Sequence, residues 1–149
     1  MTEIVIRSVD SGQDEWERLI HYAQNCSWRA GASLAKAMRE GAFTEWERVF
    51  AAMLGEEIAG YCTLAKTDCI ENLPYTPYIG YVFVGEKFRG FRLSGRLISS
   101  AEEYARSIGY DCVYLISDHE NFYEKYGFEV TDRAVAPWGA EEKIYRKQI

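Results

Sequence analysis

The sequence predicts an α+β protein in which helices pack on the faces of a mixed β-sheet. Segments of alternating apolar and polar residues, typical of strands, are separated by segments with apolar residues at helical spacing. Their order is strand, two helices, three strands, helix, strand, helix and two strands, unlike the regular alternation of a parallel sheet. With 149 residues, 48% of them hydrophobic, the chain can bury a core, and we expect one domain spanning residues 1–149.

The first third of the chain predicts a strand at Ile4–Val9 and then two helices. Apolar residues recur at helical spacing through residues 10–26, and Ser11 or Asp10 is placed to cap this helix. The second helix occupies residues 33–41 and is expected to end at its final glycine.

The middle of the chain predicts a β-hairpin and a further strand. Two apolar runs flank residues 55–57, whose Gly-Glu-Glu sequence is typical of a hairpin turn. The next apolar run, YIGYVFV at residues 78–84, is another strand.

A helix beginning near Leu93 is the clearest element of the pattern. Its apolar residues recur about every four positions, and Gly109 ends the run. Glu102 and Arg106 are spaced for an ion pair on the solvent side of this helix.

Four short segments complete the chain. Residues 111–116 are almost entirely apolar, which predicts a strand buried on both faces. Residues 117–127 are predicted to form a short capped helix, and residues 128–135 and 139–147 the last two strands.

Charge and composition exclude several classes of function. The chain has 23 acidic and 17 basic residues and a net charge of −6, which argues against nucleic-acid binding and slightly favours cationic partners. The N-terminus has no apolar core of a secretory signal, and no apolar run of about 18 residues predicts a membrane span. The four cysteines form no Cys-x-x-Cys pair, so we expect no metal site and reduced thiols in a cytoplasmic protein.

Glycines and arginines are concentrated between the strand at residues 78–84 and the helix near Leu93. Unpaired N–H groups and the helix dipole make such a helix start suitable for phosphate, although an ordinary strand-to-helix connection is the alternative. The segment lacks the Gly-Lys-Ser/Thr ending of a Walker loop. A dinucleotide fingerprint also fails, because Arg92 stands where the middle glycine is needed.

Two motifs resemble the acetyl-CoA-dependent N-acetyltransferases usually called GNAT. The segment VGEKFRGFRLSGRLI matches the pattern Arg/Gln-x-x-Gly-x-Gly/Ala in its arginine and its register. It departs where Arg92 and Ser94 replace the two motif glycines, with Gly95 one residue late. The segment NFYEKYGFEV is similar to the family's C-terminal signature Phe-Tyr-x-Lys-x-Gly-Phe.

The resemblance implies a mostly antiparallel sheet with helices on both faces and two strands that splay apart at the coenzyme A cleft. It implies that acetyl-CoA is the cosubstrate and that Tyr123 is the general acid for the departing thiolate. The strand before the loop is expected to bind the pantetheine arm, and the loop the pyrophosphate. The cofactor-binding residues implied are Val82, Phe83, Val84, Arg89, Gly90, Phe91, Arg92, Leu93, Ser94 and Gly95.

The general base and the amine pocket are not fixed by the sequence. The strand at residues 78–84 has no carboxylate, which leaves Asp68, Glu71, His119 or a water-relayed transfer. The acceptor pocket is expected between the first two helices and the last hairpin, with side chains from two segments as candidates for its wall: Trp28, Arg29 and Trp138.

We therefore expect direct acetyl transfer from acetyl-CoA to a primary amine, of a small molecule or of a protein. No cysteine lies in either motif, so no acyl-enzyme is expected. The alternatives are a weakly active or inactive coenzyme A sensor with the same fold, and an unrelated phosphate-binding domain. The resemblance leaves a homodimer open.

Overall fold

The computed structural model describes residues 3–149, and the elements in that range follow the order that the sequence predicts. None of its helices is long and apolar enough to cross a membrane. The elements are β1 (Ile4–Val9), α1 (Asp14–Asn25), α2 (Ala30–Arg39), β2 (Arg48–Leu54), β3 (Glu57–Ala65), β4 (Tyr78–Val84), α3 (Leu93–Ser107), β5 (Cys112–Ser117), β6 (Glu129–Val135) and β7 (Glu141–Gln148), with single 3₁₀ turns at Glu86–Phe88 and Tyr123–Tyr126.

The seven described strands form one sheet in the order β1-β2-β3-β4-β5-β7-β6. Every neighbouring pair is antiparallel except β4 and β5, which are parallel. These two strands have a single registered pair, Tyr78 with Tyr114, and then separate. The predicted mixed, mostly antiparallel sheet with splayed strands is therefore confirmed.

Helices cover both faces of the sheet, as predicted. Helices α1 and α2 pack on one face, where Leu19 and Leu34 are fully buried against side chains such as Val49. Helix α3 packs on the other face, where Leu97 is fully buried among residues that include Phe50. Successive β2 side chains point to opposite faces, so the same strand contributes to both clusters.

The start of α1 differs from the prediction. The helix begins at Asp14, and Gln13 rather than Ser11 or Asp10 occupies the N-cap position. The Gln13 side chain instead accepts a hydrogen bond from the backbone N–H of Asp10, at 3.0 Å. The predicted ends of α2 and α3 are confirmed, because the residues that follow both helices include glycines with positive φ, Gly41 and Gly109.

The surroundings of α3 and β5 also correct two predictions. Glu102 does not pair with Arg106 on the solvent side; its carboxylate is buried and lies 2.9 Å from the ammonium of Lys147 in β7. Strand β5 is completely buried on one face only, where Val113 and Leu115 lie, while Cys112, Tyr114 and Ile116 on its other face are half-buried.

The segment predicted as a capped helix over residues 117–127 contains one 3₁₀ turn, Tyr123–Tyr126, with no side-chain cap. The turn ends at Gly127, whose φ is +94°. This turn lies in the crossover from β5 to β6, which run in the same direction on either side of β7, and it brings Tyr123 beside the separation of β4 and β5.

Candidate active site

A cleft of about 1190 Å³ opens where β4 and β5 separate. Its walls come from β4, the start of α3, the end of β5 and the Tyr123–Tyr126 turn. The connection between α1 and α2 and the hairpin between β6 and β7 close its far end. The cleft therefore lies where the family resemblance predicts the coenzyme.

A bulge in β4 shapes one wall of the cleft. Phe83 pairs with Tyr61 and Gly80 pairs with Thr63, so two β4 residues oppose one residue of β3. The first of the two, Tyr81, has a φ of +49°. A bulge turns the backbone and increases the twist of its strand. Because pairing with β5 stops at Tyr78, the β4 edge beyond it presents backbone groups to the cleft.

The start of α3 presents a row of free backbone donors. The N–H groups from Gly90 through Gly95 donate to no acceptor within residues 3–149, and the first bond of the helix runs from Arg96 N–H to the Arg92 carbonyl. Arg92 is the N-cap and adopts a left-handed conformation, φ +59°. This is the backbone shape that glycine adopts most readily, and it is the first position where the family motif has glycine.

The three arginines near this loop have different partners. Arg92 lines the cleft. Arg89 also lines it, but its Nε donates to the Val84 carbonyl at 3.1 Å and so ties the loop to the end of β4. Arg96 lies outside the cleft and donates to the Ile4 carbonyl at 2.8 Å.

Eight of the ten residues predicted to bind the cofactor line the cleft, and two do not. Phe91 is 69% exposed and lies outside it. Gly95 borders a smaller neighbouring cavity and faces the ring of Tyr126. The eight that line the cleft are Val82, Phe83, Val84, Arg89, Gly90, Arg92, Leu93 and Ser94.

Tyr123 lies in the cleft wall and is only 7% exposed. Its ring packs against Phe122 and Tyr145, with centroid distances of 4.8 and 5.8 Å. Burial is the main cause that raises the pKa of Tyr123 to about 12, so the phenol is protonated at neutral pH. In the described chain its hydroxyl has no hydrogen-bond partner, which leaves it available to a ligand.

Aromatic side chains form the far end of the cleft. The Trp28 ring stacks on Phe83, with centroids 5.9 Å apart and an interplanar angle of 3°. Trp138, in the hairpin between β6 and β7, is 63% exposed and also lines the cleft. Arg29 is exposed and does not line it, so the expectation for this residue is wrong.

The three candidate bases are separated by the structure. Asp68 lines the cleft, and its Oδ1 accepts a hydrogen bond from the Cys69 N–H at 2.6 Å. His119 also lines the cleft, with its ring centroid 6.1 Å from that of Tyr123. Glu71 is exposed and lies outside the cleft.

Two charged residues line the cleft that were not among the predicted site residues: Glu142, which has no signal in the sequence, and Lys125, which is the lysine of the C-terminal signature. Glu142 lines the cleft, but it lies in β7, whose sequence pattern is that of an ordinary strand and does not mark this residue. Lys125 also lines it, with its ammonium 4.4 Å from the ring centroid of Phe122. Their positions depend on the pairing of β6 with β7 and on the turn before β6, which a single sequence does not reveal.

This chain belongs to the acetyltransferase (GNAT) family, whose model matches residues 13–128. The family uses acetyl-CoA as cosubstrate, so the chain is an acyltransferase, and the alternative of an unrelated phosphate-binding domain is wrong. No curated protein matches the sequence.

Solved structures of low sequence identity share the fold of this chain. A GNAT-family acetyltransferase from Desulfovibrio desulfuricans has a TM-score of 0.73 at 18% identity, covering 98% of this chain and 99% of that one. A GNAT acetyltransferase from Elizabethkingia anophelis with acetyl-CoA bound has a TM-score of 0.69 at 18% identity, covering 98% of both chains. An aminoglycoside 6'-N-acetyltransferase from Enterococcus faecium has a TM-score of 0.73 at 18% identity, covering 97% of this chain and 96% of that one.

Proposed function

We propose that this protein transfers the acetyl group of acetyl-CoA directly to a primary amine. The strongest support is that two backbone surfaces are continuous: the edge of β4 and the start of α3. The unpaired edge of β4 leads into the free amides at the start of α3, of which those of Gly90, Arg92, Leu93 and Ser94 belong to residues that line the cleft, and Tyr123 lies in the wall of the same cleft.

The residues of the cleft fit acetyl-CoA in both shape and charge. Backbone groups of Val82, Phe83 and Val84 hold the pantetheine arm as an added strand. The free amides at the start of α3, together with the helix dipole, hold the pyrophosphate. Arg92 adds positive charge at this end of the cleft.

Acetyl-CoA supplies an acetyl group that is activated as a thioester. An N–H near Val84 polarises the acetyl carbonyl. Tyr123 holds a proton for the departing sulfur, and its raised pKa keeps that proton in place at neutral pH. The amine pocket lies at the aromatic end, beside Trp28 and Trp138.

Direct transfer is favoured over an acyl-enzyme by the state of the cleft thiol. Of the cysteines in the described residues 3–149, Cys69 is the one that lines the cleft. Burial, followed by the charge of Asp68, raises the pKa of Cys69 to about 12. A thiol that is protonated at neutral pH is a poor nucleophile.

A thiol-release assay with acetyl-CoA and a panel of primary amines tests the proposal, combined with calorimetry of coenzyme A binding. The panel contains aliphatic diamines, amino acids, aminoglycosides and peptides with free N-termini. We expect coenzyme A binding and amine-dependent thiol release. Tight binding without release on any amine would instead show a coenzyme A sensor, and absence of binding would remove the proposal altogether.

A further inference from the structure

The charges that line the cleft are separated by sign. Arg89, Arg92 and Lys125 are close to the start of α3, because Lys125 contacts Tyr126, which packs on Gly95. The carboxylates come from three other places: Asp68 follows β3, Asp118 follows β5 and Glu142 is on β7. The end of the cleft away from the phosphate site is therefore negative.

Asp68 occupies a position that a β4 side chain would otherwise fill. A Cβ atom placed on Gly80 would lie 3.0 Å from Oδ2 of Asp68 and 3.2 Å from Oγ1 of Thr63. Gly80 immediately precedes the bulge at Tyr81. The absent side chain at Gly80 thus lets a loop carboxylate lie against the cleft-lining strand.

The two oxygens of this carboxylate are not equivalent. Oδ1 is fixed by the Cys69 N–H at 2.6 Å, while Oδ2 accepts no hydrogen bond within the described chain. One oxygen orients the group, and the other is free to accept a proton from a molecule within hydrogen-bond reach.

Glu142 is a second carboxylate at this end and is an independent sign of a ligand. The residue is only 8% exposed, and its side chain forms no hydrogen bond or ion pair with residues 3–149. Burial, followed by the charge of Asp118, raises the pKa of Glu142. The side chain lines the cleft and has no cationic partner within the described chain, so a cation bound in the cleft could pair with it.

The titratable groups whose pKa the charge of Asp68 raises include no cation, and no cation is among the causes that shift the pKa of Asp68 itself. These groups are Cys69 in the same loop, Tyr78 and Tyr81 in β4 and Tyr123 in the 3₁₀ turn, and the pKa of Cys69 is also raised by Glu142 in β7. All are neutral or acidic at neutral pH. Burial raises the pKa of Asp68 to about 6, which leaves the group mostly ionised at pH 7 and able to take a proton.

We propose that Asp68 is the general base that takes the proton from the acceptor's ammonium group, and that Glu142 draws this cationic acceptor into the same end of the cleft. The inference rests on the proposed function. One N–H proton passes to Oδ2 of Asp68, and the freed lone pair forms the C–N bond to the acetyl carbon as the C–S bond breaks. Sulfur receives the proton of Tyr123, which the second N–H proton replaces.

The pH dependence of kcat/KM tests the base, with the best acceptor that the amine panel provides. Wild type is expected to reach a plateau above about pH 6, whereas Asp68→Asn reacts only through the free amine and its rate rises up to about pH 10. At pH 7 the variant should be about 10²-fold slower or more. Glu71→Gln is the matched control, since Glu71 lies in the same loop outside the cleft, and it should keep the wild-type profile.

Two readouts besides turnover complete the test. Carbon-13 NMR of aspartate-labelled protein should show a carboxyl titrating near pH 6 that is missing in Asp68→Asn. Calorimetry of the same amine with the free protein should show about tenfold weaker binding for Glu142→Gln, with an unchanged pH profile of turnover.

The outcomes separate this inference from the function on which it rests. If wild type acetylates amines but Asp68→Asn keeps the wild-type profile, or loses rate equally at every pH, Asp68 is not the base. Equal amine affinity in Glu142→Gln overturns the role of Glu142. If wild type acetylates no amine, the proposed function fails and this inference fails with it.

Discussion

Gly95 and Tyr126 are in such close contact that a Cβ atom on Gly95 would lie 2.8 Å from Cε1 of the Tyr126 ring. This contact joins the start of α3 to the turn that carries Tyr123. It also explains a glycine that stands one residue later than the family motif requires. The position is occupied by glycine because a neighbouring ring needs the space.

Gly95→Ala should therefore displace the Tyr126 ring. Packing strain should exceed the gain in helix propensity and lower the free energy of unfolding by about 1 kcal/mol. Urea denaturation measures the change. In the double variant with Tyr126→Leu, Gly95→Ala should cost much less; an equal cost in both backgrounds would show that the ring is not the cause.

Glycine at position 92 should give a more stable protein than alanine at the same position. Its left-handed φ of +59° is strained for a residue with a side chain. Arg92→Gly is expected to raise the free energy of unfolding by about 1 kcal/mol relative to Arg92→Ala, since both variants lose the charge and only glycine relieves the backbone. Both should bind coenzyme A more weakly than wild type. Equal stability of the two variants in thermal denaturation would contradict the argument.

Gly90 provides a test of the phosphate site. Its φ is +89°, and no atom lies within 4 Å of an added Cβ, so there is room for a side chain. Aspartate and asparagine both tolerate this conformation, so Gly90→Asn is a control for the backbone. Gly90→Asp is expected to bind coenzyme A about tenfold more weakly than Gly90→Asn, because a negative charge faces the pyrophosphate. Calorimetry measures both affinities, and equal values would mean that the loop does not hold phosphate.

Tyr123→Phe should lower kcat by about 10²-fold while leaving coenzyme A affinity nearly unchanged. The hydroxyl has no hydrogen-bond partner within residues 3–149, so its removal should hardly change stability. Tyr145→Phe is a contrasting variant, because the Tyr145 hydroxyl donates to the His119 carbonyl at 2.8 Å. It should lose about 1 kcal/mol of stability and keep most of its turnover. Unchanged turnover in Tyr123→Phe would remove that residue from the mechanism.

Asp68→Asn should make the protein more stable at neutral pH. Burial raises the pKa of the folded-state carboxyl from its ordinary 3.8 to about 6, so the stabilising contribution of the protonated form is present below about pH 4 and is lost as the pH rises through 6. Above pH 7 the variant is expected to be more stable by up to about 3 kcal/mol, and near pH 3.5 the two proteins should be alike. Urea denaturation across this range would contradict the prediction if wild type were the more stable at pH 8.

The fold was predictable because its signals are local. The apolar pattern of α3 and the glycine after it fix that helix, and the motif register places Arg92 at its start. The inward orientation of Glu102 was not predictable, because it depends on Lys147, which comes from the other end of the chain. The start of α1 was missed for a local reason, because Gln13, whose side chain accepts the Asp10 N–H, takes the N-cap position that Ser11 or Asp10 was expected to fill.

The parts of the site formed by backbone groups were predictable from the sequence, whereas the parts that depend on individual side chains were not. The motif register places Val84 and Gly90 in the cleft, and both lie there. By contrast, Asp68 and Glu71 are equivalent in the sequence, since both follow β3 in one irregular segment. Only the bulge in β4 and the missing side chain at Gly80 distinguish them.

Strands β4 and β5 are joined by a single residue pair, Tyr78 with Tyr114, which makes the stability of the fold depend on what binds between them. A molecule that binds as an extra strand between β4 and β5 supplies hydrogen bonds that the sheet lacks. The same hydrogen bonds that hold this molecule therefore also stabilise the folded protein against unfolding. Each tenfold excess of such a molecule over its dissociation constant adds about 1.4 kcal/mol to the native state. In a cell with abundant acetyl-CoA, the protein without bound acetyl-CoA would unfold, and so be degraded, more easily than the protein that has bound it.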